Sequence, residues 1–446
     1  MLRLLDRAAL VAALASPVFL MHGRGFAEVL FALIDLAFLL RCVLARDWGW
    51  LGRGWAPVGL AWWGWLVVCS LPVPALHLGE GGLHSLGQAL LMVRFLVLVA
   101  ALEHQVLRDP AARRWMLGVL SACAAYIALQ SLLQFATGRD LYGWPRNGDG
   151  ELTGPFREPR AGPPLSRLIF PAVLPPAARL LDGRSWGGSL AAAALVAASV
   201  AVMVLIGQRM PLILTLFGLA VSGLLLPRLR RTVLAAILLG AALVAMTPVI
   251  SPPTAHRLIA KFSRQMEDLP QSAYGLIAAR AVVIAVENPW TGRGYDGFRT
   301  GCPLPRSFHG WAWLTDPAST DAGGGAAMCN IHPHNHYLQA VTDSGFPGLA
   351  LFCALILAWL RPLFRGLWAA PDPLRVGLFV AALIQEWPIA SASSFTAIEI
   401  GGFFFVMLGF GLAEARHGVA ARIAQPARAA SARTCATSPS HGTPSR

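Results

Sequence analysis

Ile331-His-Pro-His-Asn-His-Tyr-Leu-Gln-Ala-Val-Thr-Asp-Ser-Gly-Phe-Pro-Gly348 joins the longest polar segment of the chain to an apolar run that begins near Gly345. It gathers His332, His334 and His336 with Asn335 and Asp343, in a chain that is otherwise mostly bilayer-compatible. Titratable side chains are costly in hydrocarbon, so a cluster at the mouth of an apolar bundle marks a functional site. The residues before the stretch read as a loop and those after it as a span.

The whole chain supports that division. Of its 446 residues, 56% are hydrophobic and 13% charged, with a mean hydropathy of +0.57. Soluble domains carry about 25% charged residues. A span needs about 20 apolar residues. Twelve runs qualify as candidates, centred near 8–22, 26–44, 56–73, 85–103, 115–136, 166–181, 187–206, 210–226, 232–250, 345–361, 375–394 and 400–415. The expected fold is therefore all-α and polytopic, with about twelve transmembrane helices and one long, partly helical extracytoplasmic loop.

The net charge is +13, and Lys261 is the only lysine. The arginines sit in loops that flank the spans. With twelve spans, most of these loops share one face, which by the positive-inside rule is cytoplasmic and holds both termini. The expected partners of this charge are lipid headgroups, not nucleic acid.

The chain divides into four regions. Residues 1–250 hold nine spans and a loop at about 137–165. Residues 251–344 form the long extracytoplasmic loop, residues 345–415 the last three spans, and residues 416–446 a disordered basic tail. No cleavable signal peptide is evident. Within the long loop, 254–287 has helical periodicity, 288–297 is rich in turn residues, and 300–330 is irregular. Cys302 and Cys329 share this loop and can pair if it faces an oxidising compartment. Cys42, Cys69, Cys123 and Cys353 read as packing residues. Asp35, Arg94, Glu386 and Glu399 fall inside spans, where they read as structural pairs within the bundle, for instance Asp35 with Arg94, or as a polar lining for a donor's headgroup. Asp149 and Glu151 read as solvated charge.

Asn335 has the side chain and position to cap a helix over His336–Asp343. His334 then sits at that helix N-terminus, which with nearby arginines would keep its imidazole neutral and able to accept a proton. The competing reading is a set of interfacial loop histidines without a catalytic role. The alternation of His332, His334 and His336 also raises a metal, but Pro333 and the lack of a second ligand cluster argue against zinc. Arg209 lies between two apolar runs, where it can snorkel or present its guanidinium to a phosphate.

His334-Asn335, nine residues, Gly345, two residues, Gly348 resembles the signature of the O-antigen ligase and polymerase superfamily. Asp343 stands where that superfamily commonly has Glu. Asn288-Pro-Trp-Thr-Gly-Arg-Gly-Tyr-Asp-Gly-Phe298 is similar to its Pro-x-x-Gly-x-Gly-x-x-x-Phe segment. Gly207-Gln-Arg209 matches a Ser/Gln-Arg element, and Trp387–Phe395 resembles a late-span segment of the ligase branch. The resemblance implies a GT-C-like membrane glycosyltransferase of the bacterial inner membrane, with its site facing the periplasm. It implies transfer of a glycan from a polyprenyl diphosphate to a hydroxyl of lipid A–core, with no cofactor and no metal. His334 takes the base role. Arg209 and Arg280 take the diphosphate, with Arg299, Arg160 and Arg157 as reserve candidates for that role; Asn335, His332 and His336 are further candidate substrate contacts, the two histidines either orienting His334 or facing solvent.

A polymerase and a protein O-glycosyltransferase share the donor and the histidine, so the motif does not separate them from a ligase. A polysaccharide or polyprenol transporter is the alternative from another class. The absence of an internal repeat and the concentration of polar residues in one asymmetric loop weigh against it.

Overall fold

A computed structural model describes residues 1–76, 78–148, 150–390, 395, 398 and 401–418. Asp149, Glu399 and the tail from residue 419, with Cys435, lie outside the described residues, as do parts of Trp387–Phe395. Among those described, no strand forms; the nearest thing is an isolated bridge between Arg139 and Pro145.

The helices are α1 Leu2–His22, α2 Arg24–Ala45, α3 Ala56–Cys69, α4 Gly82–Leu91, α5 Val93–Ala101, α6 Pro110–Thr137, α7 Gly162–Asp182, α8 Trp186–Ile206, α9 Arg209–Leu225 and α10 Arg230–Ile250. After these come the short α11 Pro252–Ala255, α12 Lys261–Glu267, α13 Ala273–Glu287, α14 Gly297–Gly301, the long α15 His336–Phe364 and α16 Pro373–Gln385. A last helix, α17, occupies 401–418. The protein is a polytopic membrane protein. Among the described residues, six stretches are long and apolar enough to cross a bilayer: Leu2–His22, Gly82–Val106, Pro110–Thr137, Trp186–Ile206, Pro227–Ile250 and His336–Phe364. Ala56–Cys69, Arg209–Leu225 and Pro373–Gln385 are apolar but shorter.

Local chemistry sets the helix ends. Asp109 caps α6 by accepting from the Ala111 N–H at 3.0 Å, with Pro110 at the first helical position. Ser185 caps α8 in the same way, and Gly207 closes it in the left-handed conformation. The helix expected over 254–287 is broken instead. Asp268 to Gln271 leave it, Pro270 supplies no N–H, and Ser272 caps a fresh start by accepting from Gly275 at 3.2 Å.

The core sits where α3, α5, α15 and α17 meet. Trp359, Phe352, Phe395, Phe404 and Phe405 form one aromatic cluster, and Phe95 stacks on Phe405 at 4.4 Å. Two charge assignments change. Arg94 does not close on Asp35; it makes a bidentate pair with Glu28, one turn into α2. Glu151 is not solvated: it is buried and paired with Arg257.

Candidate active site

Two segments of the long loop region are docked by their backbones. The Arg293 N–H donates to the Thr342 carbonyl and the Gly294 N–H to the Asp343 carbonyl, both at 2.9 Å. The Phe346 N–H donates to the Pro289 carbonyl at 2.7 Å. The Gly297 N–H reaches the Asp343 Oδ1 at 2.8 Å. This seam is possible because α15 breaks inside it: Ser344 and Gly345 leave helical geometry, with Gly345 at φ +67°, ψ −173°, a region reserved for glycine. A Cβ on Gly345 would lie 2.4 Å from the Trp290 backbone, and one on Gly292 would lie 2.5 Å from the Ser344 nitrogen. The Trp65 Nε1–H satisfies the Ser344 carbonyl that the break leaves free, at 2.9 Å. The glycines of both motifs thus do one job, which is close backbone approach.

The seam fixes the C-terminal side of the histidine stretch, and Asn335 fixes its start. Its Oδ1 accepts from the Tyr337 and Leu338 N–H groups at 2.9 and 3.0 Å, so it caps α15 as its residue type predicts. Its Nδ2 donates to the Pro388 and Ala390 carbonyls at 2.7 and 3.3 Å. Asn335 is therefore engaged on both sides, next to His334.

His334 adopts φ +55°, a left-handed conformation in which His is enriched among non-glycine residues but still uncommon. Its Nε2 lies 2.9 Å from the Asn330 Nδ2. The Asn330 Oδ1 is occupied by the Ile331 N–H at 2.7 Å, so the amide NH2 faces the imidazole. This pattern assigns the lone pair to Nε2 and the proton to Nδ1. Burial lowers the imidazole pKa, which keeps the ring neutral. The sequence pointed to the helix terminus and nearby arginines for the same effect.

Two rings meet His334 edge-on: Tyr274 at 5.7 Å and His332 at 4.5 Å. Tyr274 leads to Arg209. That arginine opens α9, donates to the Gln265 side chain, lies 5.9 Å from the Phe262 ring, and is within electrostatic reach of Tyr274. His332 leads the other way. Its ring nitrogens are buried with no hydrogen-bond partner, and burial, with His334 and His336 nearby, pushes its pKa down to about 4. It lines a cavity of about 380 Å³ shared with Arg24, Glu28, His84, Arg94, Asp296 and Arg299.

Two expected substrate contacts turn inward. His336 is buried with its Nδ1 3.0 Å from the Glu386 Oε2, inside the bundle. Arg280 has no exposed surface: its Nη1 donates to the Cys302 carbonyl at 3.0 Å, and its Nη2 contacts the Gly325, Gly323 and Ala322 carbonyls at 3.0, 3.3 and 3.4 Å. With its fork committed to loop carbonyls, Arg280 braces the loop. Cys302 and Cys329 form a disulfide beside it, with Cα atoms 5.5 Å apart. Arg299 is more than half exposed, its Nη1 3.7 Å from the Asp296 Oδ2. Arg157 lies over the Trp144 ring at 5.1 Å and Arg160 pairs with Glu158. Among the described residues no group of His, Cys, Asp or Glu is arranged to hold a metal ion.

Sequence reasoning missed Tyr274, Asn330 and the cavity-lining residues of α2 and α4. A signal existed for the latter: Arg24 and Glu28 are charged residues one turn apart at the start of an apolar helix. Nothing in the sequence marked Tyr274 or Asn330 as neighbours of His334.

Residues 193–353 match the family model described as O-antigen ligase. The matched segment runs from within α8 through Arg209, the docked glycine motif and the histidine stretch, and ends just beyond Gly348. No curated protein matches the chain. The matched residues include both docked segments and the histidine they hold, and over them the chain is similar to the O-antigen ligase family.

Proposed function

We propose that the protein is an O-antigen ligase of the bacterial inner membrane, with the long loop in the periplasm and both termini in the cytoplasm. It transfers a glycan from a polyprenyl diphosphate to a hydroxyl of lipid A–core, without a metal or other cofactor. The observation that carries this reading is a half-buried His334, its pKa lowered by burial, held in left-handed geometry beside a seam of two family motifs, with Arg209 within electrostatic reach of the Tyr274 ring that packs against it.

The chemistry rests on these positions. The acceptor hydroxyl takes the place of the Asn330 amide and donates to the His334 Nε2. As the proton moves to Nε2, the hydroxyl oxygen bonds to the anomeric carbon of the donor. The bond from that carbon to the phosphate oxygen breaks, and polyprenyl diphosphate leaves with the electron pair. General base catalysis of this kind is worth about 10²–10⁴-fold. Arg209 meets the charge that builds on the departing phosphate, a role worth about 10²-fold or more for a single preorganised donor. Arg299 and His332 contact the sugars; Asn335 and Arg280 hold the loop that presents the base.

The test is His334→Ala in cells that make the lipid-linked polymer. Surface attachment is lost and lipid-linked polymer accumulates at its full length. Normal attachment by a stably expressed variant would refute the ligase reading, and shortened lipid-linked polymer would assign the protein to polymerisation instead.

A further inference from the structure

Tyr274 differs from the other neighbours of His334: its backbone is held firmly and its ring is left open. It is the second residue of α13. Ser272 caps that helix by accepting from the Gly275 N–H at 3.2 Å, and its hydroxyl donates to the Leu269 carbonyl at 2.7 Å. Gly275 lets the preceding turn close on the helix, because a Cβ there would lie 2.1 Å from the Leu269 carbonyl oxygen. The next residues, Gly275, Leu276 and Ile277, are buried, whereas Tyr274 is 44% exposed. Packing of the core therefore does not account for an aromatic ring at this position. A tyrosine on a fixed backbone has two torsions left to set, so it meets a ligand at low entropic cost.

The neighbours of the open ring say what it faces. On one side the His334 ring meets it at 5.7 Å and 73°. On the other, Arg209 is within its electrostatic reach, held by the Gln265 side chain with the Phe262 ring 5.9 Å away. Glycosyl transfer puts one particular group between a base and a diphosphate-binding cation, and that group is the donor sugar. Its anomeric carbon takes the hydroxyl oxygen that the base activates, and it stands one oxygen from the phosphate. A sugar ring has an apolar C–H face and a rim of hydroxyls. A tyrosine, with an apolar body and a polar tip, matches both.

We propose, on the basis of the transfer reaction above, that the Tyr274 ring is the platform of the donor-sugar subsite, packed against the sugar whose anomeric carbon is linked to the diphosphate. Arg209 meets the diphosphate, which every polyprenyl diphosphate carries. Tyr274 meets the sugar, and so distinguishes a loaded carrier from a spent one.

The experiment uses the full-length protein in nanodiscs and two ligands: polyprenyl diphosphate bearing a single sugar, and bare polyprenyl diphosphate. Wild-type protein binds the sugar-bearing form about tenfold more tightly, the scale of one aromatic contact. Tyr274→Leu, which keeps bulk but no flat face, binds the two forms alike and holds the bare form as wild type does. Tyr274→Phe keeps most of the preference. In transfer assays Tyr274→Leu raises donor KM about tenfold and leaves acceptor KM unchanged. An intact Cys302–Cys329 disulfide in each variant shows that the loop is folded. Equal binding of the two forms by wild-type protein overturns the proposal, whether or not a variant folds. An unchanged preference in Tyr274→Leu overturns it as well, as expected of a tyrosine that only anchors the loop at the bilayer surface. So does a shift in acceptor KM instead of donor KM, which would put the ring under the acceptor. Equal loss in Tyr274→Phe and Tyr274→Leu also overturns it, because the hydroxyl and not the face would be the contact. The titrations need no turnover: if wild-type protein forms no product on lipid A–core, the transfer reading fails, and sugar-dependent binding still decides the subsite.

Discussion

The seam at 289–297 and 342–346 and the loop closed by Cys302 and Cys329 both flank His334, but different forces hold them. The seam is backbone against backbone: three N–H···O=C bonds at 2.7–2.9 Å and glycines where any side chain would collide. The loop is held by side chains, with one buried guanidinium across four carbonyls and one disulfide. A backbone seam tolerates no added atom, whereas a side-chain brace can be removed one contact at a time. The seam therefore sets where His334 stands, and the brace sets how rigidly the loop in front of it is held.

Gly345→Ala should break the seam with the largest effect. The new Cβ strikes the Trp290 backbone, and moving α15 by about 1 Å costs roughly 100-fold in transfer; backbone strain adds about 1–3 kcal/mol of destabilisation. Transfer assays and thermal unfolding measure both. An effect within a few-fold of wild type would mean the seam does not position the base. Next come the two arginines. Arg209→Gln should lower kcat by about 100-fold while leaving proteolysis of 302–329 unchanged. Arg280→Met should do the reverse: faster cleavage within 302–329, because stranded buried carbonyls cost about 1–3 kcal/mol each, and a smaller loss of kcat. Arg280→Lys should not repair it, since an ammonium cannot span four carbonyls. If Arg280→Met instead raises donor KM with the loop intact, Arg280 contacts the donor.

Replacing both Cys302 and Cys329 by Ser should cost about 2–4 kcal/mol of local stability, read as hydrogen exchange confined to the loop while the seam stays protected. Asn335→Ala removes a cap worth about 1 kcal/mol and should lower transfer by less than the seam and Arg209 variants, with fraying at the start of α15. The pH dependence is the finest test. His332 and His334 have folded pKa values below the ordinary 6.5, so the unfolded chain takes up protons first. Loop stability is full above pH 6.5 and falls as pH drops from there toward about 4, the value for His332. Because the neutral imidazole is the active form, the acid limb of kcat/KM should lie below 6.5. A limb above 6.5 would show that the imidazolium is the favoured state.

The contrast also explains what the sequence could reveal. Helices were legible from apolar runs, and the Asn335 cap from residue type and position. The seam was half legible: the spacing of Gly292, Gly294, Gly345 and Gly348 announced a constraint, but not that the two segments touch each other. The four carbonyls around Arg280 were not legible, because a guanidinium looks the same in sequence whatever it faces. The Glu386 partner of His336 was not legible, because it depends on how the first residue of a helix is turned into the bundle. Arg94 found Glu28 instead of Asp35 because helix rotation decides which of two acids on α2 it meets.

The central claim is that His334, held beside the seam, is the base for glycosyl transfer. The most direct measurement is single-turnover transfer from a lipid-linked glycan to lipid A–core by purified His334→Ala and His334→Gln proteins whose Cys302–Cys329 disulfide is verified intact. A loss of at least about 100-fold in both variants, with donor affinity unchanged, is the predicted result. Transfer at the wild-type rate by either variant would contradict the account.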